Sequence, residues 1–282
     1  MAAVIDPHRE HICCGSGANI AYNLVLGCGA TMKCLVINLD RSVDRLAAVK
    51  SEFSRIGVAL ERVAGIDVKE GLPFEAPPLT ATEVCCFLSH RLCWEIIADG
   101  PDEYGAVFED DVVFSQDAGS ILVDSSWIPP NADIIKLETF FNRVRLGSQH
   151  FAVAGAYSAR LLLGQHLGAC GYIVSKKAAQ KLFNSTERPK AAVDVALFSP
   201  NQMTAARKTI YQLTPALCMQ AHFLGGKIPQ SLVQVAPRDH INKRMIDRGR
   251  AEVARVFWYF HNRPFFQAAE KVDAVRLGGS NV

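Results

Sequence analysis

Glu109-Asp110-Asp111 are three consecutive carboxylates, set directly after the apolar run from Tyr104 to Phe108 and directly before Val112-Val113-Phe114. Nothing in strand formation favours such a triplet, because carboxylates in contact repel one another. A sheet tolerates it where a cation neutralises it, and the C-terminal edge of an α/β sheet is where ligands bind. Oxygen-only donors select Mg²⁺ or Mn²⁺, ions that also bridge diphosphates. The plainer alternative is a solvated acidic turn.

A second cluster, Asn38-Leu39-Asp40-Arg41-Ser42-Val43-Asp44-Arg45, lies where a strand pattern becomes a helix pattern. Arg41, Arg45 and the free N–H groups of a helix start make an anion or nucleotide cradle there, with Asn38 at the strand end. An exposed helix start with an Arg-Arg face fits the same residues. Asp194 is a lone carboxylate in the apolar stretch Ala192–Phe198. Its burial costs several kcal/mol, on the order of a lost charge solvation, unless it is paired or working. It is the candidate general base, and a helix cap or supporting partner is the alternative role. His90, in a buried helix pattern with Trp94 one turn on, and His166 and His222 fit structural roles as well as functional ones.

These residues need a sheet to position them. Cys34–Leu39 is a short apolar strand pattern, followed by a helix with Leu46, Val49, Phe53 and Ile56 at helical spacing, Ser42 before it and Gly57 after it. Val58–Val63 alternates as a second strand, which makes a β-α-β opening. Thr80-Ala-Thr-Glu83 is a capping-box pattern, and the helix after it is apolar nearly all round, as in a buried helix. Strands follow at Ile134–Leu137, Cys170–Val174 and Thr209–Leu213, the last expected to close the core. The expected organisation is a leader over 1–31, an α/β catalytic domain over 32–236 and a helical tail over 237–282.

Bulk composition excludes some classes. The chain has 282 residues, 49% hydrophobic and 21% charged, with net charge +2, so neither disorder nor a nucleic-acid-sized basic field is implied. Its nine cysteines include the adjacent pairs Cys13–Cys14 and Cys85–Cys86 and no CxxC. That is neither a zinc ribbon nor a disulfide framework, and it suits a reducing cytoplasm. No apolar run is long enough to span a membrane.

Eight segments together resemble glycosyltransferase family 25, the group of lipopolysaccharide and collagen galactosyltransferases. They are VINLDRSVDR (36–45), the GIDV turn at Asp67, LTATEVCCFLSHRLCW (79–94), AVFEDDVVF (106–114), IIKLET (134–139), HLGACGYIVSKKAAQKL (166–182), VDVALF (193–198) and YQLTPALCMQ (211–220). The resemblance implies a GT-A type α/β/α sandwich with a mostly parallel sheet. It also implies an inverting transfer of a hexose, usually galactose from UDP-galactose, to a glycan or lipid-linked acceptor. On that basis Glu109 and Asp111 hold Mn²⁺ or Mg²⁺, and Asn38, Arg41, Arg45, Glu109 and Asp110 contact the donor side. After the second strand the family often has an acidic residue and Gly, and this chain has Asp67-Val68.

Rival readings are a nucleotidyltransferase, for which no GxxxxGK[ST] is present, and a non-catalytic glycan-binding module. A third, a dinucleotide-binding oxidoreductase, would rest on Gly15-Ser-Gly17, which lacks its third glycine and a preceding strand. Residues 238–276 hold nine Lys/Arg against five Asp/Glu. Val253, Val256, Phe257 and Phe260 recur there at helical spacing. That pattern fits a helix at the anionic inner face of a membrane, or one packed on the catalytic domain. The shortness of the segment and its small charge excess favour packing.

Overall fold

The computed structural model describes residues 32–72, 74–224, 250–257 and 269–272. The leader, and most of the tail including Trp258, Tyr259 and Phe260, lie outside the described residues.

The first strand, β1 (Lys33–Asn38), is apolar because both of its faces are covered. It leads into α1 (Val43–Arg55), which buries Val49 and Phe53. Ser42 occupies the N-cap position, but its side chain makes no capping bond. Gly57, at φ +69°, turns the chain out of the helix in the left-handed region. The next strand is shorter than its alternating pattern predicts: β2 covers Glu61–Ala64.

Both halves of the predicted capping box form at Thr80 and Glu83, and α2 (Ala81–Asp99) buries Phe87, His90, Trp94 and Ile97. Next come β3 (Tyr104–Glu109), β4 (Val112–Phe114), α3 (Ala118–Leu122) and β5 (Ile134–Lys136). The hairpin of β6 (Arg143–Ala152) and β7 (Ser158–Leu162) follows, and then β8 (Gly171–Ser175). The helices α4 (Lys176–Ser185), α5 (Val193–Phe198) and α6 (Met203–Ala206) precede β9 (Ile210–Thr214) and β10 (Cys218–Gln220). In the tail, α7 spans 250–257 and β11 is Ala269–Lys271.

Nine strands form one sheet in the order β11-β6-β7-β9-β5-β8-β3-β1-β2, and β10 pairs with β4 beside it. Six of the nine run one way; β7, β8 and β11 oppose them. The shared direction fits the expected parallel bias, although the inserted β7 and β8 make their own pairings antiparallel.

Each sheet face is packed against helices. One core joins Leu35, Val107 and Val174 of the sheet to Phe87 and Trp94 of α2, Leu182 of α4 and Phe198 of α5. The other joins Val36, Phe108 and Ile173 to Phe53 of α1 and Ile121 and Leu122 of α3. This is the α/β layering predicted from the sequence. Thr209–Leu213 does not close the core, however, since β10 and β11 come after it. The tail is not wholly helical either: β11 adds an edge strand on β6, and Val272 beside it is buried. Among the described residues no helix is long and apolar enough to cross a membrane, and the six cysteines there are free thiols.

Candidate active site

Parallel β1 and β3 end side by side, with Ile37 opposite Glu109. Asn38 and the acidic triplet therefore meet at one edge of the sheet. Asn38 Nδ2 donates to Asp110 Oδ2 at 2.7 Å. From the first turn of α1, Arg45 ion-pairs with Asp110 and, at 3.2 Å, with Asp111. The cation that lets the triplet exist in this structure is thus Arg45. It leaves a deficit: Asp111 Oδ1 and Arg45 Nε are buried with no hydrogen-bond partner. Burial, then the charge of Glu109, pushes the Asp111 carboxyl up to about 7 against the pull of Arg45. Burial also raises Asp110, less so because Arg45 and Asn38 stabilise its charged form.

Glu109 behaves differently. Burial pushes it up, but the hydrogen bond and charge of His90, with help from Arg45 and Gln220, hold it below the ordinary carboxylate range. An ionised carboxylate can only accept, so the hydrogen bond to Glu109 Oε1, 3.4 Å away, needs a proton on His90 Nε2. His90 Nδ1 meets the Tyr172 hydroxyl at 3.0 Å, and that oxygen also takes the Trp94 Nε1–H at 2.8 Å. Gln220 Nε2 donates to the other oxygen of Glu109 at 3.3 Å. His90 is therefore part of the site, the last link of a buried relay from α2 and β8.

Asp194 lies in the first turn of α5. Its Oδ1 accepts the Val195 N–H at 2.7 Å and its Oδ2 the Gly168 N–H at 3.3 Å. Burial, then the charges of Glu109, Asp194 and Asp111, raises the Cys86 thiol well above its usual range, so these three carboxylates share one neighbourhood. The loop that meets Asp194 is fastened from below. Lys136 Nζ donates to Gly168 O at 2.7 Å and pairs with Glu138 Oε1 at 3.0 Å. Glu138 Oε1 in turn accepts the Cys170 N–H at 2.9 Å. Both members of that pair are fully buried. Burial outweighs Lys136 and lifts the Glu138 carboxyl to about 7. Beside it His166 Nδ1 meets Gln212 Oε1 at 2.7 Å. The amide oxygen can only accept, so Nδ1 carries the proton and Nε2 is a buried, unpartnered acceptor. Burial, then the charge of Lys136, drives His166 down to about 3.

The two arginines of the expected cradle part company. Arg45 turns inward to the acidic motif. Arg41 pairs with Asp67, whose carboxyl it holds below the ordinary range, at the turn after β2. Lys136 and Glu138 belong to no motif that marks a site. Their signal was two charges two residues apart, Lys136 at the end of the apolar β5 and Glu138 just beyond it. Cys86 and Gln220 carried no signal beyond the segments that hold them.

The model of glycosyltransferase family 25 (LPS biosynthesis protein) matches residues 31–197. The lacto-N-neotetraose biosynthesis glycosyltransferase LgtB of Neisseria gonorrhoeae is 32% identical over 206 residues, covering 66% of this chain and 73% of that one. LgtE of the same organism is 31% identical, covering 66% and 72%. The lipooligosaccharide biosynthesis protein lex-1 of Haemophilus influenzae is 33% identical, covering 52% and 51%. Among solved structures, a glycosyltransferase involved in glycosylating the major capsid of PBCV-1 aligns over 80% of this chain and 99% of its own, at 10% identity and TM-score 0.38. The chain belongs to glycosyltransferase family 25. It is a glycosyltransferase, and as such takes a sugar donor and a glycan acceptor.

Proposed function

We propose that this chain transfers a hexose, galactose carried as UDP-galactose, to a lipopolysaccharide-type glycan, with inversion at the anomeric carbon and divalent-metal assistance. One observation carries the metal part: the Asp111 Oδ1 atom is buried and unpartnered in a crowded acidic edge. A carboxylate oxygen in that position fits a hard cation, and Glu109 and Asp111 are the residues that would hold Mn²⁺ or Mg²⁺. When bound, such an ion takes up charge that develops on a nucleoside diphosphate leaving group.

The remaining work falls to the chain's own groups. Asn38 and Arg45 keep Asp110 fixed, and the His90 relay keeps Glu109 ionised and oriented. Arg41 sits at the rim, 42% exposed at its side chain and paired with Asp67, and its proposed role is to exchange that partner for a donor phosphate. Asp194 is the general base in this reading. Two backbone N–H groups orient its carboxylate, and each oxygen retains a lone pair for the proton of an acceptor hydroxyl. As a first-turn acid on α5 it also suits the helix start, so the positioning and catalytic roles coincide. The name of the Haemophilus relative, a lipooligosaccharide biosynthesis protein, supports a lipooligosaccharide acceptor, and the lacto-N-neotetraose biosynthesis named for the Neisseria relatives supports an oligosaccharide product. The GT-A type reading of the sheet is consistent with donor binding at the strand ends. A cytoplasmic site of action is proposed, with the tail touching the inner face of the membrane: Val253, Val256 and Phe257 of α7 are exposed while Ala254 is buried.

The test is donor turnover by the full chain with a panel of UDP- and GDP-sugars, with and without Mn²⁺, in the presence of a lipooligosaccharide acceptor. UDP release selective for UDP-galactose and lost on chelation is the expected result. Undiminished turnover after chelation would overturn the metal assignment, and preference for another sugar would overturn the donor.

A further inference from the structure

We infer that Cys86, His90 and Glu109 form a second, softer cation site, suited to Zn²⁺, that shares Glu109 with the acidic edge and therefore competes with it. Cys86 and His90 lie one turn apart on α2, so both project from the same face of the helix, and Glu109 comes to meet them from the end of β3. Their ligand atoms, a thiol sulfur, an imidazole nitrogen and a carboxylate oxygen, all lie within 4.8 Å of one another. His90 Nε2 and Glu109 Oε1 are already 3.4 Å apart. Tetrahedral Zn²⁺, with bonds of about 2.0–2.3 Å, sets its ligands roughly 3.3–3.8 Å apart, so the group needs only a small contraction. Among the described residues no other group of three such side chains comes together in this way.

The donor set decides the ion. Thiolate and imidazole are poor ligands for Mg²⁺ and Mn²⁺ and good ones for Zn²⁺, and three protein ligands leave a fourth position for water. The surroundings support ligation as well. His90 Nδ1 is held by Tyr172, whose oxygen already takes a bond from Trp94, the outer partner that a ligating histidine uses. On binding, the Nε2 proton is replaced by one on Nδ1, which Tyr172 oxygen accepts, and the thiol proton leaves to solvent. One proton is released per ion bound. Zn²⁺ seated here occupies a Glu109 oxygen and places positive charge against the acidic edge. That competition, though not the binding itself, rests on the function proposed above.

The experiment is a Co²⁺ titration of the full chain, read by the thiolate-to-cobalt charge-transfer band in the near ultraviolet, followed by displacement with Zn²⁺. The band should appear in the wild type and in Cys85→Ser, and be absent from Cys86→Ser and Cys86→Ala. Both Cys86 variants should keep Mn²⁺-dependent transfer, while the Zn²⁺ concentration for half-inhibition rises at least tenfold. A wild type with no thiolate band, or Cys86 variants as sensitive to Zn²⁺ as the wild type, would overturn the site. A band that persists in a chain turning over no sugar donor supports the site and counts against the proposed function instead.

Discussion

Arg45 and the acidic triplet show how little of a buried electrostatic site is decided by one residue. Arg45 lies against both Asp110 and Asp111, yet one Asp111 oxygen stays without a partner. A guanidinium fork cannot satisfy two carboxylates whose own neighbours repel them. The triplet was legible in the sequence because three charges after an apolar strand have no structural reason to be there. Its internal partner was not, since an arginine 64 positions away in the chain carries no mark of where it will fold (109 − 45). His90 was ambiguous for a related reason: only the fold reveals that its Nε2 faces Glu109 while its Nδ1 meets Tyr172. Asp194 stood out in the sequence as a lone charge, and its two backbone donors give it a defined direction. Asp194→Asn is expected to lower kcat by about 10²–10⁴-fold while changing donor affinity little, as for a general base that acts in the chemical step. Single-turnover kinetics beside donor binding measures both, and equal losses in the two would make Asp194 a donor-pocket or scaffold residue.

Among the elements, α2 and its capping box were readable because 19 residues of consistent pattern average out local noise. The hairpin β6–β7 and the short strands β4, β10 and β11 were not. Three-residue strands such as β4 and β10 have almost no period to read and exist because a partner supplies their hydrogen bonds. The 168–170 loop is likewise a product of its supports. Gly168 adopts φ +93°, and a Cβ there would lie 2.0 Å from a Phe140 ring atom and 3.0 Å from Glu138 Oε1. Only glycine lets Lys136, Glu138 and Asp194 all reach this backbone. Gly168→Ala is therefore expected to destabilise the fold by about 1–3 kcal/mol and to lower turnover by displacing the Asp194 carboxylate. Thermal unfolding together with kcat reports both effects; a variant with unchanged melting temperature and rate would show that the loop is not held as described.

At the scale of the molecule, buried ionisable groups tie stability to pH. His166 is held near 3 when folded and titrates at about 6.5 when unfolded. The unfolded state then binds more protons between those values, so its contribution to stability is complete above about pH 6.5 and is lost as pH falls, at about 1.4 kcal/mol per pH unit. Glu138, raised to about 7, acts with the opposite sign above its unfolded value of about 4.3, so stability from that group falls as pH rises. Below about pH 4.3 Glu138 no longer contributes, and Glu109 and Asp67, both held below their ordinary range, lose stability in the same direction as His166, so the histidine is read as the difference between wild type and variant. Denaturant unfolding should show that His166→Gln flattens the acid limb there, and an unchanged slope would contradict a neutral buried His166. The central claim, that the acidic edge holds a cation serving sugar transfer, is tested most directly by Asp111→Asn. The substitution keeps shape and removes a charge that the interior disfavours, so the fold should survive. Transfer from UDP-galactose with Mn²⁺ is the measurement. A loss on the order of 100-fold or more at undiminished melting temperature is the predicted result, and near-normal Mn²⁺-dependent transfer by the folded variant would contradict the account.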